Sequence, residues 1–189
     1  MAHRITPSIV CSDFQTYSIS KEGNVFAFGC SSFTTYEIED HEEDIVSPRM
    51  IPNMHNITSI AVGPRHAIYL DSDGNVYGFG SNLSGQIGVD KILGNIKTSM
   101  SHTINVPPCK QISCGEYFTV CLTIDNELYS FGDNQFGQLG IGNNEDRYKT
   151  PQRVDSLNDV EFVECGNDFV FCKTLNNEIY SWGNNQWVN

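Results

Sequence analysis

The chain has 189 residues, 39% hydrophobic and 11% aromatic, which suffices for a packed core and is too apolar for a disordered segment. Its 23 acidic residues outnumber 11 basic ones, giving a formal charge of −12. That balance lacks the basic footprint needed for direct contact with nucleic acid or an anionic membrane surface, and it directs expectation toward a protein partner.

The amino-terminal stretch MAHRITPSIVCSD has no apolar run resembling a signal peptide. No stretch approaches the roughly 20 apolar residues of a membrane span. A cytoplasmic or nuclear protein is therefore expected. Seven cysteines, an odd number without a C-x-x-C pair, signal neither a disulfide framework nor a zinc site.

Along the chain one phrase returns four times: EGNVFAFG from residue 22, DGNVYGFGSNLSGQIG from residue 73, DNELYSFGDNQFGQLGIG from residue 125 and NNEIYSWGNN from residue 176. Its aromatic-glycine ending falls at Gly29, Gly80, Gly132 and Gly183, spaced 51, 52 and 51 residues apart. A second anchor, Gly63, Gly115 and Gly166, keeps the same spacing, with Ser12 in its place in the first unit. A fixed period of this length marks a repeat architecture.

Each unit reads as β-structure. In the third, residues 110–114 form a short strand, 118–124 (FTVCLTI) a second with alternating large and small side chains, and 127–131 a third. The dipeptides Glu22-Gly23, Asp73-Gly74, Asp125-Asn126 and Asn176-Asn177 predict two-residue type I′ hairpin turns. Pro48 and Pro151 each open an expected fourth strand, where a missing amide is tolerated. Cys11, Cys114 and Cys165 share one position with Val62, and Cys121 and Cys172 share another with Tyr69 and Ser18, so the thiols are expected to act as small buried apolar residues. Phe28, Phe79, Phe131 and Trp182 occupy one register position and are read as packing between units. The fold class is thus all-β: β-propeller blades of three to four antiparallel strands in one domain, with units at about 5–54, 55–107, 108–157 and an incomplete 158–189.

The segments GEYFTVCLTIDNELYSFGDNQFGQLGIG and GPRHAIYLDSDGNVYGFGSNLSGQIG resemble the repeat of the regulator of chromosome condensation family. The resemblance implies a seven-bladed ring, which at this period needs about 360 residues. This chain has about half, so two copies are expected to close one ring, each giving three blades and sharing the incomplete ones. TPSIV at residues 6–10 matches TPQRV at residues 150–154 and is read as a strand for a partner's last blade. A tolerated open arc, or a piece of a longer polypeptide, is the alternative.

The resemblance also implies a protein-interaction role, or guanine-nucleotide exchange on a Ran-like small GTPase. In exchange factors of the family the turn after the glycine anchor faces the GTPase. Here those turns hold Asp13-Phe14, Pro64-Arg65, Glu116-Tyr117 and Asn167-Asp168. Asp13, Arg65, Glu116 and Asp168 are the expected partner-binding residues. The acidic run Glu37, Glu39, Asp40, Glu42, Glu43 and Asp44 is a second candidate for a basic partner, histones among them.

The five histidines do not cluster at ligand spacing, and His66, in a G-x-x-H turn, is read as bonding nearby backbone. No phosphate-binding loop or nucleophile elbow is present. No catalytic residue, metal or cofactor is expected. The sequence is best read as a non-enzymatic, homodimeric interaction module.

Overall fold

The computed structural model of the protein describes residues 8–13, 15–29, 45–90, 102–143 and 145–184. Within them four antiparallel sheets follow one another in chain order, resembling propeller blades. Sheet one contains β1 (Ser8–Cys11), β2 (Gln15–Ile19), β3 (Val25–Gly29) and β4 (Ile45–Met50). Sheet two contains β5 (Ile57–Val62), β6 (His66–Asp71), β7 (Val76–Gly80) and the short β8 (His102–Thr103). Sheet three contains β9 (Cys109–Cys114), β10 (Phe118–Thr123), β11 (Leu128–Asp133) and β12 (Arg147–Arg153). Sheet four has β13 (Val160–Cys165), β14 (Phe169–Thr174) and β15 (Ile179–Gly183). Among the described residues no helix is long and apolar enough to cross a membrane.

The four hairpins form where turn chemistry predicts, but with a different turn. Only the second residue of each dipeptide is left-handed: Gly23 at φ 76°, Gly74 at 86°, Asn126 at 67° and Asn177 at 63°. The amides of these residues donate to Ser20, Asp71, Thr123 and Thr174 carbonyls at 3.0, 3.2, 3.1 and 2.9 Å. Three residues rather than two therefore lie outside the closing pair, a type I turn followed by one left-handed residue. A type I′ turn needs two such residues, and Glu22, Asp73, Asp125 and Asn176 stay out of that region. The position before each loop supplies a side-chain cap. Thr123 Oγ1 accepts from Glu127 N at 3.0 Å and Thr174 Oγ1 from Glu178 N at 3.2 Å. At Asp71 burial raises the carboxyl, but hydrogen bonds from Asn75, Tyr77 and the Asp73 amide outweigh it and hold the group below its usual range.

The left-handed residue also links units. Gly23, Gly74 and Asn126 carbonyls accept the amides of Ile57, Cys109 and Val160 at 3.1, 2.9 and 3.0 Å, pinning the first strand of each following sheet. Pro48 and Pro151 fall inside β4 and β12 rather than at their starts. Both sit where the register against the third strand shifts, so an irregular edge absorbs the missing amide. A second correction concerns residues 8–10, the described part of the TPSIV segment. Ser8, Ile9 and Val10 pair with Ile19, Ser18 and Tyr17 of the same chain, so this segment is the inner strand of its own sheet and not a spare strand for a partner.

The core lies between sheets. Tyr17 and Ile19 pack with Ala67, Tyr69 and Phe79 of sheet two. Ile68 and Leu70 pack with Cys121 and Phe131 of sheet three. Phe118, Val120 and Leu122 pack with Val170, Cys172 and Trp182 of sheet four. Odd and even positions of the second strand thus serve the following and the preceding sheet, and burial of each large side chain contributes about 1.5–3 kcal/mol. The aromatic register position works as read. A Cβ on Gly88 would lie 2.9 Å from the Phe131 ring, and one on Gly140 would lie 2.6 Å from Trp182 Nε1, so each glycine loop packs flat on the next unit's aromatic ring.

The second glycine anchor has an equally specific cause. Ser12, Gly63, Gly115 and Gly166 amides donate to the carbonyls of Gln15, His66, Phe118 and Phe169 at 2.8, 2.9, 2.9 and 2.8 Å. In three units the ring of the accepting residue lies over the anchor: a Cβ would fall 2.3 Å from His66, 1.9 Å from Phe118 or 2.1 Å from Phe169. Unit one has no ring there, and Ser12 fits beside Gln15, whose amide donates to Ser12 Oγ at 3.2 Å. The pairing predicts a coupled pair of substitutions. Gly115→Ser should destabilise by about 3 kcal/mol through overpacking. In a Phe118→Gln background its further cost should fall by about 1 kcal/mol or more in chemical denaturation, and additive losses would refute the pairing.

His66 is fully enclosed between sheets, its Nε2 3.1 Å from Thr119 Oγ1, which in turn donates to Gln86 O at 2.8 Å. Burial pushes its imidazole down to about 4, offset in part by the Phe118 backbone. The unfolded chain takes up this proton near 6.5 and the folded chain only near 4, so the stabilisation is complete above pH 6.5 and is lost as pH falls toward 4. Its total is about 3 kcal/mol. Phe occupies this position in the later units, so His66→Phe should flatten the fall in melting temperature between pH 6.5 and 4 relative to the parent; unchanged slopes would refute the assignment.

Candidate functional site

The turns between first and second strands carry the expected partner-binding residues, and their backbone is clamped from two sides. One clamp is the anchor bond described above. The other comes from the residue after the third-strand glycine: Ser81, Asp133 and Asn184 amides donate to the carbonyls of Arg65, Tyr117 and Asp168 at 2.8, 2.9 and 2.9 Å. This approach requires glycine, because a Cβ on Gly132 or Gly183 would lie 2.4 Å from the Tyr117 or Asp168 oxygen. The clamp fixes the main chain and leaves side-chain identity open.

The four turns meet around one concavity of about 330 Å3, to which they contribute residues 11–13, 62–64, 114–116 and 165–167. Neighbouring turns bond directly where Glu116 N donates to Asn167 O at 2.8 Å. Below the rim, Gln111 spans two sheets, its Nε2 donating to Val163 O at 2.6 Å and its Oε1 accepting from Val163 N at 3.2 Å. Ser113 Oγ donates to Glu164 Oε2 at 3.0 Å and accepts from Cys165 N at 3.0 Å. Sheets three and four are therefore held as one rigid support for the rim.

Of the expected residues, Asp13 and Glu116 line the concavity with Pro64 and Asn167. Arg65 and Asp168 flank Tyr117 instead. The hydrogen bond and charge of Glu116 raise the Tyr117 phenol above its ordinary value, Asp168 adds to this, and Arg65 opposes it. Phe14 and the run Glu37, Glu39, Asp40, Glu42, Glu43 and Asp44 lie outside the described residues. Asp133 is an addition to the expected set. Burial raises its carboxyl, with Asp168 adding and Arg147 opposing, while Gln138 Nε2 donates to its Oδ2 at 2.7 Å. A polar residue after three of the four third-strand glycines, Ser81, Asp133 and Asn184, was the visible signal for this position.

The glycine loops behind the rim are organised by their amides. Asn134 Oδ1 accepts from Leu139 N at 3.1 Å and Gln138 Oε1 from Phe136 N at 2.9 Å, and unit two repeats both bonds through Asn82 and Gln86. These loops are architecture, with Phe136 and Leu83 left exposed at their tips.

The thiols divide. Cys121 and Cys172 are buried as expected, but Cys11 is exposed, and Cys114 and Cys165 are half-buried at the concavity. The first strands end at the axial opening, so a position that is core along the strand becomes wall at its tip. Burial pushes the Cys165 thiol up to about 12 and Cys114 well above its ordinary value, which keeps both protonated and poor nucleophiles. Among the described residues no group of three histidine, cysteine or acidic side chains could hold a metal ion.

Comparison with known proteins agrees with this geometry. The chain is similar to the human E3 ubiquitin-protein ligase HERC2, 29% identical over a 178-position alignment that covers 88% of this chain and 4% of the ligase. It is similar to the mouse secretion-regulating guanine nucleotide exchange factor, 28% identical over 88% of this chain and 36% of that protein. The crystal structure of Prp20p from Saccharomyces cerevisiae superposes with a TM-score of 0.83 at 26% identity, covering 95% of this chain and 43% of that one. The chain therefore spans less than half the length of each of these relatives. Repeat profiles described as regulator of chromosome condensation (RCC1) repeat match residues 73–122 and 125–172, and again 57–86 and 109–138. With both glycine clamps of that repeat explained by close contacts, the chain belongs to the regulator of chromosome condensation (RCC1) repeat family.

Proposed function

We propose that the chain is a non-enzymatic protein-interaction module whose partner sits on the axial rim, and that the chain self-associates to extend that rim. The observation that carries this reading is the convergence of four backbone-clamped turns of different composition, Asp13, Pro64-Arg65, Glu116-Tyr117 and Asn167-Asp168, on one concavity. A fixed main chain with variable tips is how a repeat array encodes a binding surface. The formal charge of −12 and the acids at the rim favour a basic surface on the partner. A cytoplasmic or nuclear site of action fits this reading.

Exchange on a Ran-like GTPase is the second reading. Its support is the likeness to the exchange factor and to Prp20p, whose structure is described together with its binding to Gsp1p and histones. Asp13, Glu116 and Asp168 are acids of the kind such an exchange factor uses, but a rim of four sheets offers only part of the surface. The two readings separate in one experiment, in which the protein is added to small GTPases loaded with fluorescent nucleotide and, in parallel, to core histones. The expected result is salt-sensitive binding without faster nucleotide release. Glu116→Lys and Asp168→Lys should weaken it about tenfold, or about 1.4 kcal/mol, at unchanged melting temperature. Accelerated release would favour exchange, and binding indifferent to both substitutions would remove the rim from the account.

A further inference from the structure

The glycine loops of units two and three are built alike, and one side chain separates them. In unit three the buried Gln138 uses both ends of its amide: Oε1 accepts from Phe136 N at 2.9 Å and Nε2 donates to Asp133 Oδ2 at 2.7 Å. The Gln135 amide bonds the same carboxylate. In unit two Gln86, 1% exposed, repeats the first bond, its Oε1 accepting from Ser84 N at 2.9 Å. That bond fixes which end of the amide faces the rim. The place of Asp133 is held by Ser81, which has no carboxylate to offer. Gln86 Nε2 is buried there without a hydrogen-bond partner among the described residues.

The frame around the two positions is the same. Ser81 N donates to Arg65 O at 2.8 Å, as Asp133 N donates to Tyr117 O at 2.9 Å. Asn82 Oδ1 accepts from Ile87 N and Asn134 Oδ1 from Leu139 N, both at 3.1 Å. Gly85 N and Gly137 N close the two loops onto the Asn82 and Asn134 carbonyls at 3.2 and 2.9 Å. The change at residue 81 therefore removes an acceptor and keeps its donors in place, Gln86 Nε2 and the Leu83 amide that corresponds to Gln135. A buried N–H without an acceptor is costly, so such a donor calls for a partner. Two guanidinium groups flank the position. Arg65 is exposed on the adjoining rim turn where unit three has Tyr117, and Arg147, whose charge also reaches Asp133, places Nη1 3.3 Å from Leu83 O. Ser81 itself is half-exposed, so the position opens at the rim surface.

We propose that the glycine loop of unit two is a carboxylate-binding site, in which Gln86 Nε2 and the Leu83 amide hold a carboxylate of another molecule as Gln138 and Gln135 hold Asp133. The group it takes is an aspartate or glutamate side chain or a C-terminal carboxylate, with Arg65 and Arg147 supplying the favourable charge. In a chain of net charge −12 this is a locally inverted preference. A basic partner docked on the rim would then be set in register by one acid placed among its bases.

Titration of the full chain with sodium acetate, at ionic strength held constant with sodium chloride, tests the site through the Gln86 side-chain amide resonances in heteronuclear NMR spectra. The expected result is a saturable shift of those resonances. Ser81→Asp, which copies unit three, should weaken acetate about tenfold or more, because a tethered carboxylate then meets the donors at high effective concentration. Two lysine-rich peptides separate the sources, one with a central glutamate and an amidated end, the other without acidic side chains but with a free C-terminus. At least one should shift the Gln86 resonances, and a peptide lacking both carboxylates should not. An acetate response that fails to saturate or is unchanged in Ser81→Asp would overturn the proposal. So would tighter binding of inorganic phosphate than of acetate, or no response to either carboxylate peptide. Because acetate needs no partner on the rim, failure here leaves the histone and GTPase experiment standing.

Discussion

The close approach of the third-strand glycine to the rim turn sets the rest of the structure. At Gly132 and Gly183 the main chain runs so near the Tyr117 and Asp168 carbonyls that no side chain fits between them. The next amide closes a hydrogen bond onto those same oxygens. One contact thereby fixes the end of the third strand, the turn between the first two, and the starting direction of the loop that packs on the next unit. With these fixed by backbone geometry, the rim residues carry little structural duty. Their chemistry can differ between Asp13, Arg65, Glu116 and Asp168 without disturbing the sheets beneath.

Much of this was legible in the sequence, for a physical reason. Gly132 and Gly183 mark contacts too close for a Cβ, and Gly80 holds the same place in the repeat with a left-handed φ of 101°, so the three report the period directly. The hairpins were placed correctly by Gly23, Gly74, Asn126 and Asn177, because a left-handed residue leaves a strong signature. The turn type was not, since that signature does not say how many residues precede it. The caps at Ser20, Asp71, Thr123 and Thr174 held that information in a position read only as strand. The thiols were misjudged in part because equivalence along the chain averages over depth: Cys121 lies mid-strand in the core, whereas Cys11 ends a strand at the axial opening.

The candidate site was legible only through the family resemblance. Nothing in the local pattern around Glu116 or Asp168 separates a rim residue from any polar turn residue. Their grouping with Tyr117 and Asp133 depends on two units meeting in space, as the Glu116–Asn167 backbone bond shows. The raised Asp133 carboxyl arises from burial, with Asp168 of the neighbouring unit adding to it and the Gln138 hydrogen bond opposing it, a combination with no sequence signature.

The side-chain caps at the hairpin loops bear on how the chain acquires its structure. Every sheet pairs strands in chain order, and each central hairpin closes over three residues, with the third loop amide bonded to the carbonyl of Ser20, Asp71, Thr123 or Thr174 and the amide after the loop bonded to that same residue's side chain. Loop-closure entropy for such a hairpin is small, so each can form before any contact between units exists. Nucleation is available at four places, and growth proceeds by docking preformed hairpins rather than by long-range searches. A lesion in one unit then slows only the docking of its neighbours, which lets rim turns diversify without endangering the folding of the whole array.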